Sequence, residues 1–211
     1  MFVPPHFEET RADVLAALIR AHPLGTLVCL GADGLNANHI PFLLDPDPAP
    51  HGTLVGHVSR ANPAWRDFDP KVQALVVFHG TDSYITPSWY PTKQQTGKVV
   101  PTWNYAVVHA YGFLRIVEDA TRLRAIVESL TSANESSRPQ PWKVSDAPAE
   151  FVEQQLRGIV GIEIEIRRLI GKWKVSQNRD RADRDGVADG LSELGDPNAE
   201  AMAELVRRSS S

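Results

Sequence analysis

Four short stretches of the chain set hydrogen-bond donors and cations beside large aromatic rings. The first, Gly56-His57-Val58-Ser59-Arg60-Ala61-Asn62-Pro63, places a hydroxyl and a guanidinium beside a predicted helix start, with Asn62 as cap and Pro63 in the first turn. Free N–H groups, a fixed dipole and a charged side chain together stabilise a phosphate. The same residues also read as a plain strand-to-helix turn with Arg60 in solvent. The second and third stretches, Ser83-Tyr84-Ile85-Thr86-Pro87-Ser88-Trp89-Tyr90 and Val100-Pro101-Thr102-Trp103-Asn104-Tyr105, carry rings beside hydroxyls and an amide. That combination suits a planar heteroaromatic ligand that needs stacking and edge hydrogen bonds, with aromatic core packing as the alternative. In the fourth, Lys172 to Arg179, an extended chain puts Lys172, Lys174 and Ser176 on one face as a compact cationic strip. Its alternative is a solvated strand edge, where lysines discourage sheet-to-sheet pairing.

Other chemistries find little support. The seven histidines (positions 6, 22, 39, 51, 57, 79 and 109) include no i, i+4 pair and no neighbouring cysteine, so no metal site is expected. Cys29 lies in an apolar strand, where a buried inert thiol is the expectation. No phosphate-binding glycine loop and no nucleophile turn occurs, and the spacing singles out no catalytic residue.

The elements that position these stretches follow from periodicity. Val14, Leu15, Leu18 and Ile19 share a helix face that His22-Pro23 ends. Strands are predicted at Thr26 to Leu30 and Asn36 to Leu44 around an Asp33-Gly34 hairpin turn, then at Thr53 to Val58. A short helix is predicted from Pro63 to Phe68, strands at Val72 to Phe78 and Ser83 to Thr86, and an irregular connection from Pro87 to Pro101. A long strand, Thr102 to Ile116, has apolar residues on both faces, as a barrel wall would. Helices are expected after Asp119 and over Ala147 to Arg157. Between Val160 and Arg167 apolar residues alternate with Glu163 and Glu165, which predicts a strand with one wet face running to about Lys174. From Gln177 onward the chain is charged and predicted helical in two pieces. This order favours a mainly β protein with peripheral helices (α+β), a single antiparallel barrel.

With 211 residues, 42% of them hydrophobic, the chain can bury a core without disulfides. A net charge of -4 argues against a broad nucleic-acid-binding face. The amino terminus lacks the form of a signal peptide, no apolar run approaches a membrane span, and a single cysteine suits a reducing compartment. A cytoplasmic protein without a membrane partner is expected.

The four stretches together resemble the PaiB-type family of FMN-binding negative transcriptional regulators. The likeness also includes His39-Ile40-Pro41, Val107-Val108-His109-Ala110 and Gly171-Lys172-Trp173-Lys174-Val175-Ser176-Gln177-Asn178, and runs from about Phe2 to Leu191. It implies an FMN-binding split β-barrel akin to pyridoxamine-phosphate oxidases, over residues 1–175, with a helical tail, 176–211, packed on the same domain. It further implies a homodimer with flavin near the subunit interface. The implied flavin contacts are His39, Ile40, His57, Val58, Ser59, Arg60, Asn62, Trp103, Asn104, Lys172 and Lys174. Where oxidase relatives carry Ser-Arg-Lys, this chain has Ser59-Arg60-Ala61, one cation short, and Lys172 or Lys174 could supply it.

Three roles fit such a protein: a repressor acting on DNA directly or through a protein partner, a flavin-dependent oxidoreductase of a small substrate, or a haem-binding split barrel using a histidine. No helix-turn-helix is evident, and Arg179, Arg181 and Arg184 alternate with Asp180, Asp183 and Asp185, which cancel much of any attraction to phosphates.

Overall fold

The structure, a computed structural model, describes residues 1–48 and 50–209. A 3-10 turn at Pro5–Phe7 leads into β1 (Glu8–Glu9) and α1 (Ala12–Ala21), whose Leu15, Leu18 and Ile19 are buried. β2 (Leu24–Gly31) and β3 (Gly34–Pro41) pair antiparallel from Gly31↔Gly34 to Leu24↔Pro41. Gly34, at φ 112°, takes the turn conformation that a side chain would strain. The single return strand expected over Asn36 to Leu44 is instead broken at Phe42. Its N–H bonds Pro23 O at 2.8 Å and its buried ring meets Phe78 edge-on, while β4 (Leu43–Asp45) departs to pair with β5 (Thr53–Ser59).

β6 (Ala74–Ile85) is one strand where two were expected. The polar residues between them stay extended because Thr81 donates to Asn198 O at 2.8 Å and Gly80 admits a close neighbour, Leu18. The connection after it carries a 3-10 turn, Pro87–Trp89, and a short α2 (Thr92–Thr96) closed by Gly97. Then come β7 (Thr102–Val117), α3 (Ala120–Glu135), α4 (Ala149–Arg157), β8 (Ile159–Lys174), α5 (Arg181–Ser192) and α6 (Pro197–Arg208). Asp119, Asp180 and Asp196 cap α3, α5 and α6, accepting from the N–H groups of Arg122, Asp183 and Ala199 at 2.8–2.9 Å.

The sheet runs β3-β2-β6-β7-β8-β5-β4, with β1 added to β8. The chain divides into two compact units, and β6, β7 and β8 each contribute to both. The first unit comprises Met1–Leu18, His79–Val108 and Ile170–Ser211; the second, Ile19–Phe78 and His109–Leu169. In the first, the tail helices bury Val187, Leu191, Met202 and Val206 against Ile85, Tyr90 and Val175. In the second, Val55, Val117 and Ile126 form a cluster under Leu43 and Leu130.

β8 alternates as expected, but Glu163 is not on a wet face. It is only 6% exposed and accepts from Arg115 Nη2 at 2.9 Å and Arg122 Nε at 2.7 Å, which compensates its burial. Cys29 is buried, and burial pushes its thiol up to about 11, as an inert core residue requires. Among the described residues no helix is long and apolar enough to cross a membrane.

Candidate functional site

In the second unit the end of β3 packs closely on β5. Gly56 allows this: a Cβ there would stand 3.1 Å from Pro41 O and 3.3 Å from Ile40 Cγ2. The approach sets His39 and Ile40 opposite His57, Val58 and Ser59. Asn62 and the α4–β8 turn, with Gln155 and Gly158, complete a cavity of about 470 Å³. Six of the eleven residues implied by the sequence, drawn from two strands and a turn, therefore line one space. Gln155 was missed, since nothing in the sequence distinguishes it from any polar residue on an exposed helix.

His57 is half-buried, and its Nδ1 atom is buried without a hydrogen-bond partner among the described residues. Burial holds its imidazole below the usual histidine value of 6.5. A depressed histidine pKa makes the folded protein bind fewer protons than the unfolded chain just below that value. Stability is therefore expected to fall as pH drops through 6.5 and to level off below the folded pKa. Urea melts across this range should show the loss, and His57→Phe should flatten it.

The turn after β5 departs from expectation. The predicted helix is a single 3-10 turn, Pro63–Trp65, and its donors are consumed within the turn and by its neighbours. Arg60 N–H bonds Gly158 O (2.8 Å), Ala61 N–H bonds Ser59 Oγ (3.2 Å), Asn62 N–H bonds Ser59 O (2.9 Å) and Ala64 N–H bonds Asn62 Oδ1 (2.9 Å). Free backbone N–H groups at a helix start thus do not supply an anion site here. The Asn62 amide is also committed, donating to Asn38 Oδ1 at 2.9 Å, whereas the Ser59 hydroxyl accepts one bond and keeps its proton to donate. Arg60 does not line this cavity. Its guanidinium donates to Glu118 (2.8 Å), Arg157 O (3.1 Å) and Ile159 O (3.3 Å), which points it into a neighbouring space.

The remaining four implied residues lie in the first unit. Lys174 Nζ donates to Thr102 Oγ1 and to Trp103 O, and Lys172 Nζ donates to Phe2 O at 3.2 Å and stands 5.2 Å from the Tyr105 ring centroid. Burial first, then the charges of Lys172 and Arg179, hold Lys174 below the usual lysine value. Trp103 is 54% exposed and meets Tyr84 edge-on at 6.2 Å. Asn104 is buried, donating to Ser176 Oγ at 2.9 Å, with Oδ1 unpartnered among the described residues. Trp89 and Tyr90, by contrast, are packing residues: Tyr90 is in the core, and Trp89 lies so close on α5 that a Cβ at Gly190 would stand 2.4 Å from its Nε1.

Residues 1–168 match the family described as a putative FMN-binding domain. The chain is 37% identical over 242 residues to an uncharacterized protein of Emericella nidulans, covering 98% of this chain and 96% of that one. It is 32% identical over 209 residues to the protease synthase and sporulation protein PAI 2 of Bacillus subtilis, again covering 98% and 96%. The structure of the FAD and heme binding protein from Mycobacterium smegmatis has a similar fold, with a TM-score of 0.59 at 17% identity over 79% of this chain and 73% of that one.

Proposed function

The chain belongs to the PaiB-type FMN-binding family, a split β-barrel fold whose cofactor is FMN, and from that premise we propose that it is a flavin-dependent repressor of transcription that works as a homodimer through a protein partner. The observation that carries the flavin assignment is the convergence of His39, Ile40, His57, Val58, Ser59 and Asn62 on one cavity. Bound flavin supplies hydride or one-electron chemistry; the protein supplies position and surroundings. The Ser59 hydroxyl and the His57 ring suit the neutral polar part of the cofactor. Among the described residues no lysine or arginine lines this cavity, yet a phosphate dianion needs a cation. Lys172 and Lys174 of the partner subunit would meet that need, which is why the proposal includes a dimer.

The regulatory role rests on the family resemblance and on the sporulation relative's name. A protein partner is favoured over direct DNA binding because the net charge is -4 and the basic residues around α5 are interleaved with Asp180, Asp183 and Asp185. Arg181 pairs with Asp185 at 3.7 Å, and Arg179 stacks 4.7 Å from the Tyr90 centroid.

An absorption spectrum with mass identification of the copurifying ligand tests the cofactor: flavin bands are expected, and a Soret band in their place would overturn the reading. Ser59→Ala and His57→Phe should each weaken FMN binding by about 0.5 to 1.5 kcal/mol, the usual worth of one hydrogen bond. Titration with unchanged affinity in both variants would remove the cavity from the site. A gel-shift salt series on the chain's own upstream DNA should show no specific complex unless a partner protein is added.

A further inference from the structure

Arg60 leads to a second cavity in the same unit, about 460 Å³, between the first turn of α3 and the last turn of α4. Three arginines line it: Arg60, Arg124 and Arg157. Two carboxylates, Glu118 and Glu153, line it as well, together with Thr121. Arg60 and Glu118 neutralise each other at 2.8 Å. Among the described residues neither the Arg124 nor the Arg157 guanidinium has an ion pair or hydrogen bond, and neither does the Glu153 carboxylate. The inventory left over is two cations against one anion, in a space of the size that metabolites occupy. Guanidinium groups grip carboxylate and phosphate oxygens two at a time. A pair of them left open in a cavity, when a carboxylate in the same wall does not satisfy either, fits a ligand with two negative charges.

We propose that this cavity binds a compact dianionic metabolite, a phosphate ester or a dicarboxylate, as an effector input separate from the flavin. Arg124 and Arg157 hold its two charges, the Thr121 hydroxyl adds a bond, and Glu153 limits affinity by like-charge repulsion. The assignment stands independently of the flavin site, since Arg124 and Arg157 do not line the flavin cavity.

The test is titration calorimetry on the FMN-loaded protein with inorganic phosphate and with succinate, against potassium chloride at matched ionic strength. Saturable binding of either dianion is expected, phosphate alone pointing to a phosphate ester and succinate alone to a dicarboxylate. Arg124→Gln with Arg157→Gln should weaken it at least tenfold while FMN affinity stays unchanged, and Glu153→Gln should tighten it severalfold. If the double variant does not fold, Arg157→Lys at the exposed end of α4 keeps the charge, loses the fork and should still weaken binding several-fold. The proposal fails if neither dianion binds better than chloride, or if the arginine variants bind with unchanged affinity. Those results would leave FMN binding, read from the flavin spectrum, untouched.

Discussion

Replacing Lys172 and Lys174 together by alanine should weaken FMN binding at least a hundredfold. Three cations, Lys172, Lys174 and Arg179, act on one another in the first unit, and among the described residues none of them is in a salt bridge. Among the described residues their relief comes from carbonyl and hydroxyl oxygens and from the Tyr105 and Tyr90 rings. Such a cluster is strained without an anion, and a phosphate relieves burial and repulsion together. Each charge-assisted bond contributes about 1.5 to 3 kcal/mol, so losing two costs about 3 to 6 kcal/mol. The same reasoning fixes a pH dependence. Lys174 sits below its ordinary value of 10.5, so in the window beneath 10.5 the unfolded chain binds more protons, and the ligand-free protein should gain stability as pH rises through it. Bound FMN favours the charged lysine and should shrink that gain. A double variant that titrates FMN like the parent would separate this cluster from the cofactor, and its melting curve without FMN distinguishes lost binding from lost folding.

Where the fold was legible, one local rule sufficed. The Asp33-Gly34 turn needs φ above zero, Asp119 needs only the next three residues to cap α3, and the isoleucines of β8 alternate over one buried face. What escaped depends on distant partners. β6 stays whole across His79 to Asp82 because Asn198, more than a hundred residues later, accepts from Thr81. Glu163 reads as a surface residue until Arg115 and Arg122 close on it. The break at Phe42 arises because its N–H finds Pro23 O instead of a sheet partner.

The site was legible in the same uneven way. His39 and Ile40 could be placed with Ser59 only through family resemblance, since no spacing in the sequence says that β3 crosses β5 at Gly56. Arg60 illustrates the opposite limit. Its neighbours predicted a phosphate, but a guanidinium reaches several directions, and Glu118 with two carbonyls at the α4–β8 turn set the one it takes. Trp89 and Tyr90 have the composition of a ring-stacking site, and only the tail helices, about a hundred residues on, reveal Tyr90 as core and Trp89 as packed against it.

Gly112→Val should destabilise the protein by about 3 kcal/mol or more, the upper range for overpacking. A Cβ at Gly112 on β7 would stand 2.2 Å from Glu165 O and 2.7 Å from Ile164 Cγ2 on β8. The first of these atoms is backbone, so no rotamer change relieves the overlap, and the strands must part where both are central in the sheet. At about 2 to 4 °C per kcal/mol for a chain of this length, the midpoint should fall by roughly 6 to 12 °C. Gly97→Ala separates this steric cost from a conformational one: its φ is 63°, but nothing lies within 4 Å of the added methyl, so about 1 kcal/mol is expected. The damage at Gly112 should also reach the proposed flavin cavity, because Glu165 pairs with Thr53 and β5 then carries His57 and Ser59 along the same register with β8. Weakened FMN binding in the folded fraction would follow from that displacement. A Gly112→Val midpoint equal to the parent's would mean that β7 does not approach β8 this closely, and the register that places His57 and Ser59 would lose its footing.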